Sequence, residues 1–132
     1  MVGIDTNVLV RYLAQDDPKQ SAVATRFIES RLSAENPGFV STVTLCELAW
    51  VLAESYGAER KRIREIIEGL LATKQLVIER AELVWKSLRA WERAPADFSD
   101  ALIAQLAIAH GAEKTVTFDR TAARLPGFEL LA

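Results

Sequence analysis

Apolar residues recur along the chain in short runs, and their spacing switches repeatedly between the period of a strand and that of a helix. Residues 2–5 predict a short buried strand, and residues 6–14 a helix that starts directly after it. Asp17, Pro18 and Gln20 supply an N-cap, a first-turn proline and a capping-box partner for a second helix reaching about residue 33. Asn36, Pro37 and Gly38 break the chain, and Phe39 and Val40 predict a second strand. Ser41 or Thr42 caps a helix that continues to Tyr56 and stops at Gly57, which suits a left-handed C-terminal position. Residues 59–72 carry Ile63, Ile66, Ile67, Leu70 and Leu71 at helical spacing. Residues 76–78 predict a third strand, and Leu83, Trp85, Leu88 and Trp91 belong to the helix after it. After a loop over residues 94–98, Asp97 caps a helix over residues 99–110 that Gly111 ends. Residues 115–118 and 128–131 predict the fourth and fifth strands.

This alternation predicts a three-layer α/β/α fold around a mainly parallel central sheet of about four or five strands. With 132 residues, half of them apolar, the chain is expected to form a single domain spanning residues 1–132. The single cysteine, Cys46, excludes an internal disulfide and any cysteine-rich zinc cluster, and suits a reducing compartment. Residues 1–10 are apolar, but Asp5 interrupts them and no basic stretch precedes them, which argues against a signal peptide or a membrane span. A soluble, cytoplasmic protein is the expectation.

Asp5, Glu47, Asp100 and Asp119 each stand as the only charge inside or at the edge of a strongly apolar run. An ionised carboxylate withdrawn from water costs several kcal/mol unless something pairs with it. These runs offer too few cations to neutralise four acids, whereas clustered carboxylates are what a hard divalent ion requires, so a buried metal site is predicted. Asp5 and Asp119 end predicted strands, and Glu47 and Asp100 lie early in helices. In parallel α/β sheets ligands bind beyond the C-terminal strand ends, where all four acids are expected to converge. Carboxylate-held Mg²⁺ or Mn²⁺ suits in-line attack of water on a phosphodiester. Asp97 is an additional ligand on this reading, or else a helix cap that orients Asp100; Thr6, Asn7 and Thr117 are candidate donors to the carboxylates.

Formal net charge is −2, which taken alone argues against an ordinary basic nucleic-acid binder. Setting the acids of one pocket aside leaves a mildly basic remainder, compatible with a polyanionic substrate held at an acidic pit. Arg11, a turn or more past Asp5, and the cluster Arg60, Lys61, Arg62 and Arg64 are candidate contacts to the phosphates of such a substrate. For the cluster, a solvated helix face competes, because Glu59, Glu65 and Glu68 stand at ion-pairing spacing. His110 falls in the last turn of its helix and has no second histidine to make a metal pair. Trp50, Trp85 and Trp91 read as core or subunit contacts, and Cys46 as small buried filler.

Four pieces carry a resemblance that covers the chain end to end: Ile4-Asp5-Thr6-Asn7, Glu47 within residues 42–49, Asp97-Phe98-Ser99-Asp100-Ala101-Leu102-Ile103-Ala104, and Thr117-Phe118-Asp119. In this order and at this chain length they resemble the PIN domain, and more narrowly the VapC-type ribonuclease toxins of prokaryotic toxin and antitoxin pairs. The resemblance implies a PIN-like fold, a four-acid site for Mg²⁺ or Mn²⁺ and endoribonuclease activity on RNA phosphodiesters. It also implies a homodimer and a protein antitoxin as partners. Apolar helix faces that include Trp85, Leu88 and Trp91 separately predict symmetric self-association. Two other classes compete: an aspartate-based phosphotransferase or phosphatase, in which Asp5 would be the nucleophile or phosphoacceptor, and a catalytically silent PIN-like interaction module. The former class of dehalogenase type wants a second acid where this chain has Asn7.

Overall fold

Gly38 opens a strand at a crowded point: a β-carbon there would lie 2.9 Å from Ile4 Cγ1 and 2.9 Å from Leu32 Cδ1, so both side chains would have to shift. Around this contact the computed structural model, which describes residues 1–132, builds the first of two compact units, Met1–Glu79. Its strands β1 (Val2–Gly3), β2 (Gly38–Val40) and β3 (Leu76–Ile78) form a parallel sheet in that order. Val2 stands opposite Gly38 and Val40 opposite Ile78. The helices are α1 (Thr6–Ala14), α2 (Pro18–Arg26), α3 (Thr42–Tyr56) and α4 (Arg60–Leu71).

The caps in this unit follow the sequence. Asp17 accepts from the Gln20 N–H at 3.0 Å, and Ser41 Oγ accepts from the Thr44 N–H at 3.1 Å. Gly57 ends α3 at φ 62°. Gln20 does not complete the capping box; its Oε1 accepts instead from Arg11 Nε at 2.7 Å. The helix expected to reach residue 33 remains α-helical only to Arg26 and then widens into a π turn, Phe27–Arg31. Leu9, Ile28, Val40, Leu45, Leu48 and Ile67 are fully buried in the core of this unit.

The second unit, Arg80–Ala132, contains α5 (Ala81–Glu92), α6 (Phe98–Ala109), β4 (Thr115–Thr117) and β5 (Phe128–Leu130). Helix α5 packs on α6, and β4 pairs with β5 in parallel. Trp91 and Phe98 meet edge to face with ring centroids 5.8 Å apart, and Trp91 Nε1 donates to the Ala96 carbonyl at 2.6 Å. That bond satisfies the indole and pins the loop that leads into α6. Gly111 adopts φ 92° just past α6, and Nδ1 of His110 lies 2.9 Å from the Leu106 carbonyl at the helix end.

The α/β class and the parallel strands hold: five strands are present, three paired in parallel within the first unit and two within the second. Strands of two or three residues offer few ladder bonds, so apolar pattern alone overstates their extent. Leu88 and Trp91 are buried within the chain, which removes them as a reason to expect self-association. Trp50, expected in a core or subunit contact, is 65% exposed. No helix is long and apolar enough to cross a membrane.

Candidate active site

Thr6 organises the acids of the first unit. Strand β1 ends at Gly3, two residues earlier than expected, and Asp5 is the N-cap of α1, in extended conformation. Its Oδ1 accepts from the Thr6 N–H at 2.8 Å, while the Thr6 hydroxyl donates to Glu47 Oε1 at 2.7 Å. A single buried threonine therefore orients two carboxylates supplied by helices far apart in sequence. Helix α3 buries Thr44, Leu45, Leu48, Ala49 and Leu52, and this leaves Val43, Glu47 and Trp50 on its exposed face. Asn7 is exposed, and Arg11 bonds Gln20 and pairs with Asp16 at 3.4 Å.

In the second unit Asp97 is the N-cap of α6, as expected. Its N–H donates to Asp100 Oδ2 at 3.3 Å, so Asp100 is tied to the cap that precedes it. Burial pushes the Asp100 carboxyl above its ordinary pKa, and the charges of Asp97 and Asp119 push the same way against the lowering effect of the backbone bond. Asp119 follows β4 and accepts through Oδ1 from the N–H groups of Thr121 at 2.8 Å and Ala122 at 3.3 Å. The Thr117 hydroxyl accepts from the Asp119 N–H at 3.0 Å and so fixes the backbone under this acid.

The acids are not buried. Asp5, Glu47, Asp97 and Asp119 are exposed and Asp100 is half-buried. An apolar run reports what its elements bury, whereas an acid at a helix start or on the outward face of a helix remains in water. None of the five pairs with Lys or Arg. Within neither unit do three His, Cys, Asp or Glu side chains come together as a ready-made metal cage. Oxygen donors free of ion pairs, two of them oriented by Thr6, nevertheless have the chemistry that a hard divalent ion takes.

Arg60, Lys61 and Arg62 are exposed at the start of α4, and Arg64 pairs with Glu68 at 3.3 Å. Sequence reasoning missed Glu79, whose Oε1 accepts from both the N–H (2.8 Å) and the hydroxyl (3.0 Å) of Thr42 and so anchors the start of the helix carrying Glu47. The only trace of it in the sequence is a carboxylate directly after a strand.

The PIN domain family model matches residues 2–127, nearly the whole chain and both units. This chain belongs to the PIN domain family. The PIN chain is also similar to a protein from Aquifex aeolicus (strain VF5) described as a VapC ribonuclease. The two are 26% identical over 126 residues, covering 96% of this chain and 92% of that protein.

Proposed function

We propose that this PIN protein is a metal-dependent endoribonuclease that hydrolyses RNA phosphodiester bonds, acting as one domain over residues 1–132 and serving as the toxin of a toxin and antitoxin pair. The observation that carries the reading is the match of the PIN family model across both acid-bearing units, joined to carboxylates that no cation neutralises. Similarity along nearly its whole length to a protein described as a VapC ribonuclease supports RNA as the substrate and the toxin role.

Asp5, Glu47, Asp100 and Asp119 are assigned as carboxylates that hold Mg²⁺ or Mn²⁺. Bound divalent metal supplies the activation of water and the charge that stabilises the leaving oxygen. The chain's own part is orientation: Thr6 fixes Asp5 and Glu47 through its N–H and its hydroxyl, and Asp97 holds Asp100 through its N–H. No side-chain nucleophile is needed. Asp97 is assigned as a cap that positions Asp100, in keeping with its N-cap geometry. Arg11, Arg60, Lys61, Arg62 and Arg64 are assigned to the RNA backbone, and a second copy of the chain and a protein antitoxin complete the assembly in the cytoplasm.

Expression of the free protein, followed by sequencing of cellular RNA ends, tests this reading. The expected result is growth arrest with new RNA ends, both absent with Asp5→Ala. Normal growth and an unchanged RNA population on expression of the folded wild type would overturn it.

A further inference from the structure

The first unit carries a cleft of about 880 Å³ next to the Asp5 junction. Ile4 and Asn7, which flank Asp5 and Thr6 in sequence, both line it. Val8, Val23 and Phe27 make its surface apolar, Arg11 and Lys19 add two cations, and no Asp or Glu lines it. Its volume falls within the range of small-ligand clefts.

The two cations differ in kind. Arg11 is held in place: Nε donates to Gln20 Oε1 at 2.7 Å, and Nη1 pairs with Asp16 at 3.4 Å. Asp16 in turn accepts from the Tyr56 hydroxyl at 2.7 Å. A guanidinium fixed in this way is pre-organised, with donors to spare. Lys19 is exposed and engaged in no ion pair. Phe27 begins the π turn Phe27–Arg31, an irregularity that recurs at functional sites.

The geometry points to a nucleotide subsite: the cleft takes one base against Phe27 and Val23 and the attached phosphate at Lys19 and Arg11. An aromatic ring and aliphatic walls accept the flat face of any base, and the cations answer the phosphate. An apolar protein segment would use the walls but leave Lys19, which no acid pairs, uncompensated, so charge complementarity favours the polyanion. The identity of the strand rests on the ribonuclease reading above, and the subsite would hold a nucleotide beside the cleaved bond.

The test is a titration of the metal-free protein in EDTA with 5′-AMP, 5′-GMP, 5′-CMP and 5′-UMP, followed by ¹⁵N amide shifts. The expected result is saturable shifts at Asn7, Val23 and Phe27 with at least one nucleotide. Lys19→Glu should weaken that binding at least fivefold. Val23→Trp, at a position 58% exposed and so tolerant of a larger side chain, should abolish it and reduce RNA cleavage with Mg²⁺ at least tenfold at an unchanged melting temperature. Absence of saturable shifts at the cleft with all four nucleotides would overturn the subsite. So would cleavage of unchanged rate and pattern in both variants. Cleft shifts in a wild type that cuts no RNA would leave the nucleotide site standing and remove the ribonuclease reading alone.

Discussion

Thr6 donates to two acids at once, so its hydroxyl can be removed without removing either acid. Thr6→Val keeps the shape of the side chain and the backbone bond to Asp5 but releases Glu47. If Glu47 binds metal as proposed, loss of the bond that orients it is expected to lower RNA cleavage roughly 10- to 100-fold. Thr6→Ser should retain most of it, and initial cleavage rates at saturating Mn²⁺ separate the two. Asp100 makes a pH-dependent prediction. Burial and the charges of Asp97 and Asp119 raise its folded pKa above the ordinary value of 3.8, so its ionisation opposes folding. The cost is absent below 3.8 and grows as pH rises through that value and then through the raised folded one. Asp100→Asn should therefore melt at or above metal-free wild type at pH 7, with the difference gone at pH 3. A melt well below wild type at pH 7 would make Asp100 chiefly a structural cap. Burial alone pushes the Cys46 thiol up to about 11, so alkylation of the native protein at pH 8 should be slow and should accelerate on unfolding.

At the scale of elements, local chemistry was a good guide. Asp17, Ser41, Gly57 and Asp97 mark helix ends in the sequence and do so in the structure, because a cap is a contact between near neighbours. What the sequence could not carry depends on distant partners. Glu79 anchors Thr42 from 37 residues away, and the bond from Thr6 to Glu47 spans 41. The π turn at Phe27 likewise has no local signal. The candidate acids were legible as uncompensated charges in apolar runs, but their burial was overstated, since the pattern describes an element's packed face and not its ends. Gly38 offers a direct test of the first sheet. A Gly38→Val side chain would have to displace both Ile4 and Leu32, and overpacking of this kind costs about 1–3 kcal/mol. Denaturant melts at equal m-value should show a lowered midpoint; an unchanged midpoint would mean that the junction beside Asp5 adapts without strain.

At the scale of the whole molecule, the account rests on carboxylates that gain stability and activity from the same ions. Divalent metal bound only to the folded state should add about 2.7 kcal/mol when free metal is a hundredfold above its dissociation constant. Self-association must now be argued without Leu88 and Trp91, which the chain buries, and exposed Trp50 beside Glu47 is the residue to probe. If α3 contributes to a dimer, light scattering should report a dimer for wild type and a monomer for Trp50→Glu; a wild-type monomer at micromolar concentration would refute the dimer. The most direct measurement of the central claim is cleavage of RNA by the purified protein in EDTA and after adding excess Mn²⁺, with Asp5→Ala alongside. The account predicts no cleavage in EDTA, restoration by Mn²⁺ in wild type, and none in the variant under either condition. Wild-type cleavage that persists undiminished in EDTA would contradict it.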